Sequence, residues 1–245
     1  MDEKLRKDLE GIQEKLEEIL EKDEYEERFV EPQHNVFRMS LAAVRKMIDA
    51  GMTDIFQIGD MIWNRHEKLG EALGWIVIGK NRDGEDSLTL WCVSGLPERP
   101  FDTKSNKYPY GHALWSDCSL RYWLNNDLLN ALDPEDADAI ALVDKVTLGT
   151  RDENRRPITT QDKLWLLSAC EAGFEPDEYW SEEEGAAYPY FGSEKDRQIG
   201  DWWRLRSATR GYAGNTWYVT TSGYAYYSAA TNAYRPAPAC VIRKS

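Results

Sequence analysis

Three observations predict an α+β protein. After Pro32, strand-like apolar runs and helix-like periodicities follow one another without the βαβ rhythm of a parallel sheet. Residues 1–31 form a separate acidic segment with a heptad pattern. Residues 207–234 are almost uncharged in a chain that is 30% charged. The expected organisation is an N-terminal helix over residues 1–31 followed by one α+β domain over residues 32–245.

In the first segment Leu5, Leu9, Ile12, Leu16 and Ile19 recur at alternating spacings of four and three. A repeat of about 3.5 residues draws one seam along a helix and predicts a short coiled coil. With Leu9 and Leu16 at a positions and Leu5, Ile12 and Ile19 at d, the preference leans to trimers or tetramers, so a homo-oligomer through residues 5–19 is expected. A single amphipathic helix folded onto its own domain fits the same spacing, because short isolated helices are marginal without packing. The segment holds 13 acidic and 6 basic side chains, hence −7 of the net −13, as a solvated helix face would. Pro32 marks the break to the domain.

Further along, Ser40 is placed to N-cap a helix that uses Leu41, Val44 and Ile48 and stops near Gly51. Apolar runs at residues 75–78 and 88–93 flank Asn81-Arg82-Asp83-Gly84, which predicts a β-hairpin. Ser116 or Asp117 caps a second helix that buries Leu120, Trp123, Leu124 and Leu128, with an interruption at Asn125-Asn126. The run at residues 164–167 suits a short strand, and a long acidic, aromatic loop follows over residues 175–191.

Composition narrows the function. A net charge of −13 opposes binding to a phosphate backbone, so nucleic acid is not an expected partner. No apolar run reaches the roughly 20 residues of a membrane span, and the opening Met-Asp-Glu-Lys does not read as a signal peptide. Cys92, Cys118, Cys170 and Cys240 lie far apart, and no metal-ligand spacing joins them to His34, His66 or His112. Buried free thiols are expected, with no metal and no cofactor.

The 28 residues from 207 to 234 would hold about eight charges at the chain's average, yet only Arg210 is charged. Asp, Glu, Lys, Gln and Met are missing; Tyr, Ser, Thr, Ala, Gly and Asn surround Trp217. Paratopes use this mixture, since Tyr offers large, stiff contact area while Ser, Gly and Asn adapt their hydrogen bonds. A plain hairpin of small residues, or an aggregation-prone polar-aromatic tract, shares the composition. Alternation favours the first reading. Trp217 and Val219 fall on one face and Tyr218 and Thr220 on the other; after a turn at Thr221-Ser222-Gly223, Tyr224 and Tyr226 share a face opposite Ala225. A hairpin with Trp and Val inward would present a row of Tyr and Thr to solvent, as binding sites do.

A family resemblance rests on these residues. Trp202-Trp203-Arg204-Leu205-Arg206-Ser207, then Trp217-Tyr218-Val219, Gly223 and Arg235-Pro236-Ala237, resemble the end of a large bacterial and phage family with a C-type-lectin-like, formylglycine-generating-enzyme-like fold. Phe56-Gln57-Ile58-Gly59-Asp60, Ser119-Leu120-Arg121-Tyr122-Trp123-Leu124-Asn125 and Asp162-Lys163-Leu164-Trp165-Leu166-Leu167-Ser168 look like the same family. The resemblance implies a small, irregular antiparallel sheet with two packed helices, with Trp75, Trp123, Trp165, Trp203 and Trp217 in the core. Some members are the variable proteins of diversity-generating retroelements, in which adenine-miscopying reverse transcription rewrites codons near the C-terminus. Randomised AAC or AAT codons yield Tyr, Ser, Thr, Ala, Gly, Asn, Asp and Arg, among others, but never Lys, Glu, Gln, Met or Trp. Within the window the only one of those five is Trp217, which matches a framework position. Departures from the family pattern are Arg204, where relatives often read Trp-Trp-Leu-Arg-Ser, and Tyr234-Arg235-Pro236, where a Gly-Val often precedes the Arg-Pro.

Under that resemblance the variable, solvent-facing positions are Ala208, Thr209, Arg210, Tyr212, Ala213, Asn215, Tyr218, Thr220, Ser222, Tyr224, Tyr226, Ser228, Ala230, Thr231, Asn232 and Tyr234, with the tyrosines as anchors. Arg206 and Arg235 are framework, tying strand ends to carboxylates or carbonyls. The expected function is binding without catalysis, toward a protein or cell-surface target. The protein would be made in a bacterial cytoplasm without a signal peptide and used on a virion or cell surface. A formylglycine-generating-type enzyme is one alternative, although the resemblance then implies paired cysteines or a metal near the C-terminus and Cys240 stands alone. A structural virion protein assembled by its coiled coil is the other. The absence of Asp and Glu from residues 207–234 disfavours calcium-dependent sugar binding there.

Overall fold

The computed structural model describes residues 34–105, 107–150 and 156–244, so the expected coiled coil of residues 1–31 lies outside the described residues. In chain order the elements are β1 (Val36–Arg38), α1 (Leu41–Asp49), β2 (Met61–Arg65), β3 (Ala72–Lys80), β4 (Ser87–Ser94), β5 (Arg99–Pro100), α2 (Ser119–Trp123), a π turn (Leu124–Leu128), α3 (Leu129–Ala131) and α4 (Pro134–Ala139). Then come β6 (Val143–Leu148), β7 (Pro157–Asp162), β8 (Trp165–Leu166), β9 (Trp203–Ala208), β10 (Asn215–Val219), β11 (Ala225–Ala229), β12 (Ala233–Pro236) and β13 (Pro238–Arg243).

The strands form a six-stranded sheet in the order β1-β2-β3-β4-β13-β8, a five-stranded sheet β11-β10-β9-β12-β5, and the pair β6-β7. Pairings are antiparallel apart from β1 with β2 and β12 with β9. This is an α+β fold of mixed, mainly antiparallel sheets with packed helices.

Local chemistry explains the elements. Ser40 Oγ accepts the Ala43 N–H at 3.1 Å and opens α1, whose Leu41, Val44, Met47 and Ile48 are buried. The β3–β4 hairpin forms as the two apolar runs predict, and the side chain of Asn81 closes its turn by accepting the Ser87 N–H at 3.2 Å. Both strands are buried along nearly their whole length because they lie inside the larger sheet.

The second helix starts differently from the sequence expectation. Residues Trp115–Asp117 make a 3₁₀ turn, and α2 begins after Cys118, whose Sγ takes the Arg121 N–H at 3.4 Å in place of a Ser116 or Asp117 cap. Leu120, Leu124 and Leu128 are buried. The interruption at Asn125-Asn126 is the π turn. There Asn125 Oδ1 accepts the N–H groups of Lys163 and Leu164 at 2.9 and 3.1 Å, and its Nδ2 donates to the Leu164 carbonyl at 2.8 Å, stitching the helix to β8.

Of the five tryptophans expected in the core, Trp75, Trp165, Trp203 and Trp217 are buried. Trp123 is half-buried, with the Arg99 guanidinium 4.0 Å over its ring. Trp91 and Trp115 join the core; Trp91 packs on Trp203 at 4.9 Å, which couples the two large sheets.

Candidate functional site

The β9–β12 sheet carries the uncharged window, and three arginines beneath or beside it set its geometry. Arg206 is fully buried. It donates to the Glu171 carboxylate, to the Glu184 carbonyl, to Leu166 O at 2.9 Å and to Val146 O at 3.2 Å. Arg235 donates to Asp201 Oδ2 at 2.9 Å and to Val93 O at 3.3 Å. Both therefore tie strand ends to carboxylates and carbonyls, the role their motifs suggested.

Arg204 is the third, and it departs from expectation. It is buried with no carboxylate partner among the described residues. Nη1 donates to Thr216 Oγ1 at 2.7 Å and Ser228 Oγ at 3.3 Å, while Nη2 donates to the Asn232 carbonyl at 2.8 Å. Its guanidinium also lies 4.3 Å from the Tyr234 ring centroid. Burial pulls this guanidinium down to about 10, against the pull of Tyr234 and Tyr218 toward the charged form. One side chain thus joins β9, β10, β11 and the β11–β12 turn under the window.

The β10–β11 hairpin forms about the expected turn at Thr221-Ser222-Gly223. Val219 pairs with Ala225, Tyr218 with Tyr226 and Trp217 with Tyr227. Thr220 closes the turn, accepting the Gly223 N–H at 2.9 Å and donating to the Tyr224 carbonyl at 2.9 Å. Gly223 has φ +82°, and a Cβ there would stand 2.2 Å from the Glu194 carbonyl oxygen, so the turn admits only glycine without rearrangement.

Alternation across this hairpin divides the aromatic side chains into two groups. On the Arg204 side, Trp202 stacks on Tyr218 at 5.4 Å and Tyr218 on Tyr234 at 4.4 Å. On the other side Trp217 makes edge contacts with Trp180 at 5.0 Å, Tyr227 at 5.4 Å and Tyr179 at 5.8 Å, and Tyr212 stacks on Tyr227 at 6.1 Å. The single row of outward Tyr and Thr is therefore two clusters, one on each face.

Among the expected solvent-facing positions, Arg210, Tyr212, Ala213, Ser222, Tyr224, Tyr226 and Asn232 are exposed. Asn215, Tyr218, Thr220, Ser228, Thr231 and Tyr234 are half-buried. Ala208, Thr209 and Ala230 do not face solvent; they are 3%, 2% and 0% exposed. The reason is their place at loop closures. Ala208 pairs with Thr216 in the sheet, Thr209 N–H bonds Asn215 O at 3.0 Å, and Ala230 N–H bonds Gly214 O at 2.7 Å, which draws these small side chains inward.

Sequence reasoning missed Trp202, Tyr227, Tyr179 and Trp180 as part of this surface. The first had a usable signal: with Trp203 inward, strand alternation puts Trp202 outward, and it is 42% exposed. Tyr227 is exposed although it pairs with the buried Trp217, because β11 is the last strand of its sheet.

Two polar clusters lie elsewhere. Lys145 Nζ sits 3.1 Å from Tyr188 Oη, 3.2 Å from Asp83 Oδ1 and 3.4 Å from Glu171 Oε1, in a cleft of about 180 Å³. Tyr188 in turn donates to Asp83 at 2.9 Å, so donors and acceptors are matched within the cluster. The other is His66 with Asp133 and Asp136, whose potential ligand atoms lie within 4.8 Å of one another. Here Asn64 Oδ1 accepts from Trp75 Nε1 at 2.9 Å, which turns its Nδ2 toward His66 Nε2 at 2.8 Å and Asp136 Oδ2 at 3.0 Å. The Asp133 N–H points at His66 Nδ1 at 3.1 Å. A neutral imidazole carries a single N–H, so only one of its two nitrogens accepts here, and with the Asn64–Asp136 bond the cluster latches α4 to β2. Burial lowers the His66 pKa below its ordinary 6.5, against the pull of Asp136 and Asp133.

All four cysteines are free and buried. Burial pushes the Cys92 and Cys170 thiols up to about 12, which makes them poor nucleophiles. No helix among the described residues is long and apolar enough to cross a membrane.

A family model described as a domain of unknown function, DUF6273, matches residues 88–244, a span that includes both aromatic clusters and the three arginines. No curated protein and no solved structure matches the chain.

Proposed function

We propose that this chain, which belongs to the DUF6273 family, is a ligand-binding protein whose β9–β12 surface is the binding site and whose fold is of the C-type-lectin-like kind. The observation that carries the reading is the conjunction of composition and placement. A 28-residue window with one charge supplies exposed Tyr212, Tyr224, Tyr226 and Tyr227 along one hairpin and its flanking loops, on a sheet that buries Arg204 and Arg206. Aromatic side chains on rigid strands lose little entropy on binding, and such residues dominate interface energetics. Absence of Lys, Glu, Gln and Met from the window is also what adenine-directed codon diversification would leave, so the site is read as one draw from a repertoire. The ligand is then a protein or a cell-surface structure, and the protein acts by binding and not by catalysis.

Two experiments test this. In flanking DNA, a near-copy of the codons for residues 207–234 that differs chiefly at adenines, beside a reverse transcriptase gene, is the expected finding; without it the diversification claim falls and the binding claim stands alone. For binding, the full chain and a Tyr224→Ser/Tyr226→Ser variant are compared for capture of bacterial envelope fractions and soluble proteins. Stability should change by only about 0.5 kcal/mol, since both side chains are exposed. Capture should fall by about 30-fold, the loss of one interface hot spot of about 2 kcal/mol. A large loss of stability with unchanged capture would place these side chains in a structural role and defeat the proposal.

A further inference from the structure

The cluster around Trp217 has a neighbour of opposite character to the uncharged window. Tyr179 and Trp180, which cover Trp217, are carried by residues 175–184, where six side chains are acidic and none is Lys or Arg. Glu184 is buried and structural; its carboxylate accepts from the Leu148 N–H at 2.8 Å and from Ser207 Oγ at 2.5 Å. Glu175, Asp177, Glu178, Glu182 and Glu183 are exposed, and none of them forms a salt bridge among the described residues. The Glu178 carboxylate beside the Tyr179 phenol raises its pKa, which puts the acidic segment next to the ring cluster. Arg210 donates to the Glu178 carbonyl at 3.1 Å.

We infer that this acidic–aromatic surface docks a basic segment of a partner protein, taking its Lys or Arg side chains against the ring faces of Tyr179, Tyr212 and Tyr227. Three observations converge on that occupant. The aromatic faces are electron-rich and attract ammonium or guanidinium groups. The unpaired carboxylates beside them supply the charge complement over a range comparable with the Debye length. Finally, the buried indole Nε1 of Trp217 and that of Trp180 lack a hydrogen-bond partner among the described residues. A buried indole N–H without an acceptor is costly, and a docked segment that displaces the covering Tyr179 and Trp180 side chains would bring a backbone carbonyl to it. The Trp202 cluster lacks these features, since the cation beneath it, Arg204, is already supplied by the protein. The inference rests on the ligand-binding reading and names the chemistry of one half of that surface.

The test uses the full chain and a 12-residue Lys/Gly peptide as probe, with its Nε-acetylated and its Glu/Gly counterparts, read by quenching of tryptophan fluorescence at two salt concentrations. Binding of the Lys peptide should exceed that of both counterparts by at least tenfold and should weaken as salt rises. Glu178→Gln/Glu182→Gln/Glu183→Gln should lower the affinity about tenfold and flatten the salt dependence, while Glu67→Gln/Glu71→Gln, which removes exposed charge elsewhere, should change it less than twofold. Equal losses in the two charge variants, equal binding of the acetylated peptide, or no binding of the Lys peptide at millimolar concentration would each overturn the inference. None of these outcomes depends on Tyr224 and Tyr226, so capture that is sensitive to those residues would leave the broader binding reading intact.

Discussion

Replacing Glu171 with Gln probes the charge network that supports the β9–β12 sheet from behind. The carboxylate is buried between Arg206 and Lys145, bonded to the first and 3.4 Å from the Nζ of the second, and it accepts the Ser168 N–H at 3.1 Å. An amide keeps the shape and removes the charge. Breaking a buried pair by neutralising one partner costs about 3–5 kcal/mol, because the remaining charge stays desolvated. Arg206 would keep its bonds to three carbonyls and Lys145 its contact with Asp83 at 3.2 Å, which puts the expectation near the low end, about 3 kcal/mol. For a domain of this size that is a drop in Tm of about 6–12 °C. Burial pushes the Glu171 pKa up, but the charges of Arg206 and Lys145 outweigh it and hold the group below its ordinary 4.5. A carboxylate depressed in the folded state stabilises the fold fully above its unfolded pKa, and that stabilisation is lost as pH falls through the folded value. The gap between wild type and variant should therefore be full at pH 7 and close as the pH drops below 4.5. Thermal unfolding followed by circular dichroism across that range measures it. A gap under about 1 kcal/mol at pH 7, or one that widens on acidification, would refute the account of the network.

Two further substitutions examine the hairpin itself. Trp217→Ala removes a ring that is only 6% exposed and that Trp180, Tyr179 and Tyr227 surround, so it should cost about 3–5 kcal/mol in urea unfolding; a cost under about 1 kcal/mol would mean the aromatic cluster carries no packing energy. Gly223→Ala combines a left-handed backbone with a Cβ 2.2 Å from the Glu194 carbonyl, and should destabilise by more than about 1 kcal/mol in the same assay, whereas a neutral result would show that the turn shifts freely.

Much of the fold was legible because its signals are local. A Ser cap followed by apolar residues at helical spacing marks α1, two apolar runs about a turn mark the β3–β4 hairpin, and strict alternation in residues 217–219 places Trp217 and Val219 inward. The second helix was read correctly for its buried leucines and its interruption, but not for its cap, since cysteine is a weak acceptor that propensity does not suggest. Arg204 could not be placed from the sequence. A charged residue in a strand reads as exposed, and only the carbonyls and hydroxyls that β10, β11 and the following turn bring together make its burial tolerable.

The sequence by itself determined the α+β class of the domain, the charge-depleted window and the faces on which Trp217, Tyr218 and Val219 lie, because periodicity and composition are properties of neighbouring residues. Tertiary structure alone decided that the window's tyrosines divide into two clusters. It brought Tyr179 and Trp180 from a distant acidic loop over Trp217, and it drew Ala208, Thr209 and Ala230 inward at loop closures. Those outcomes depend on contacts between segments far apart in the chain, set by the packing of whole sheets and loops, and no local pattern encodes which segment will arrive.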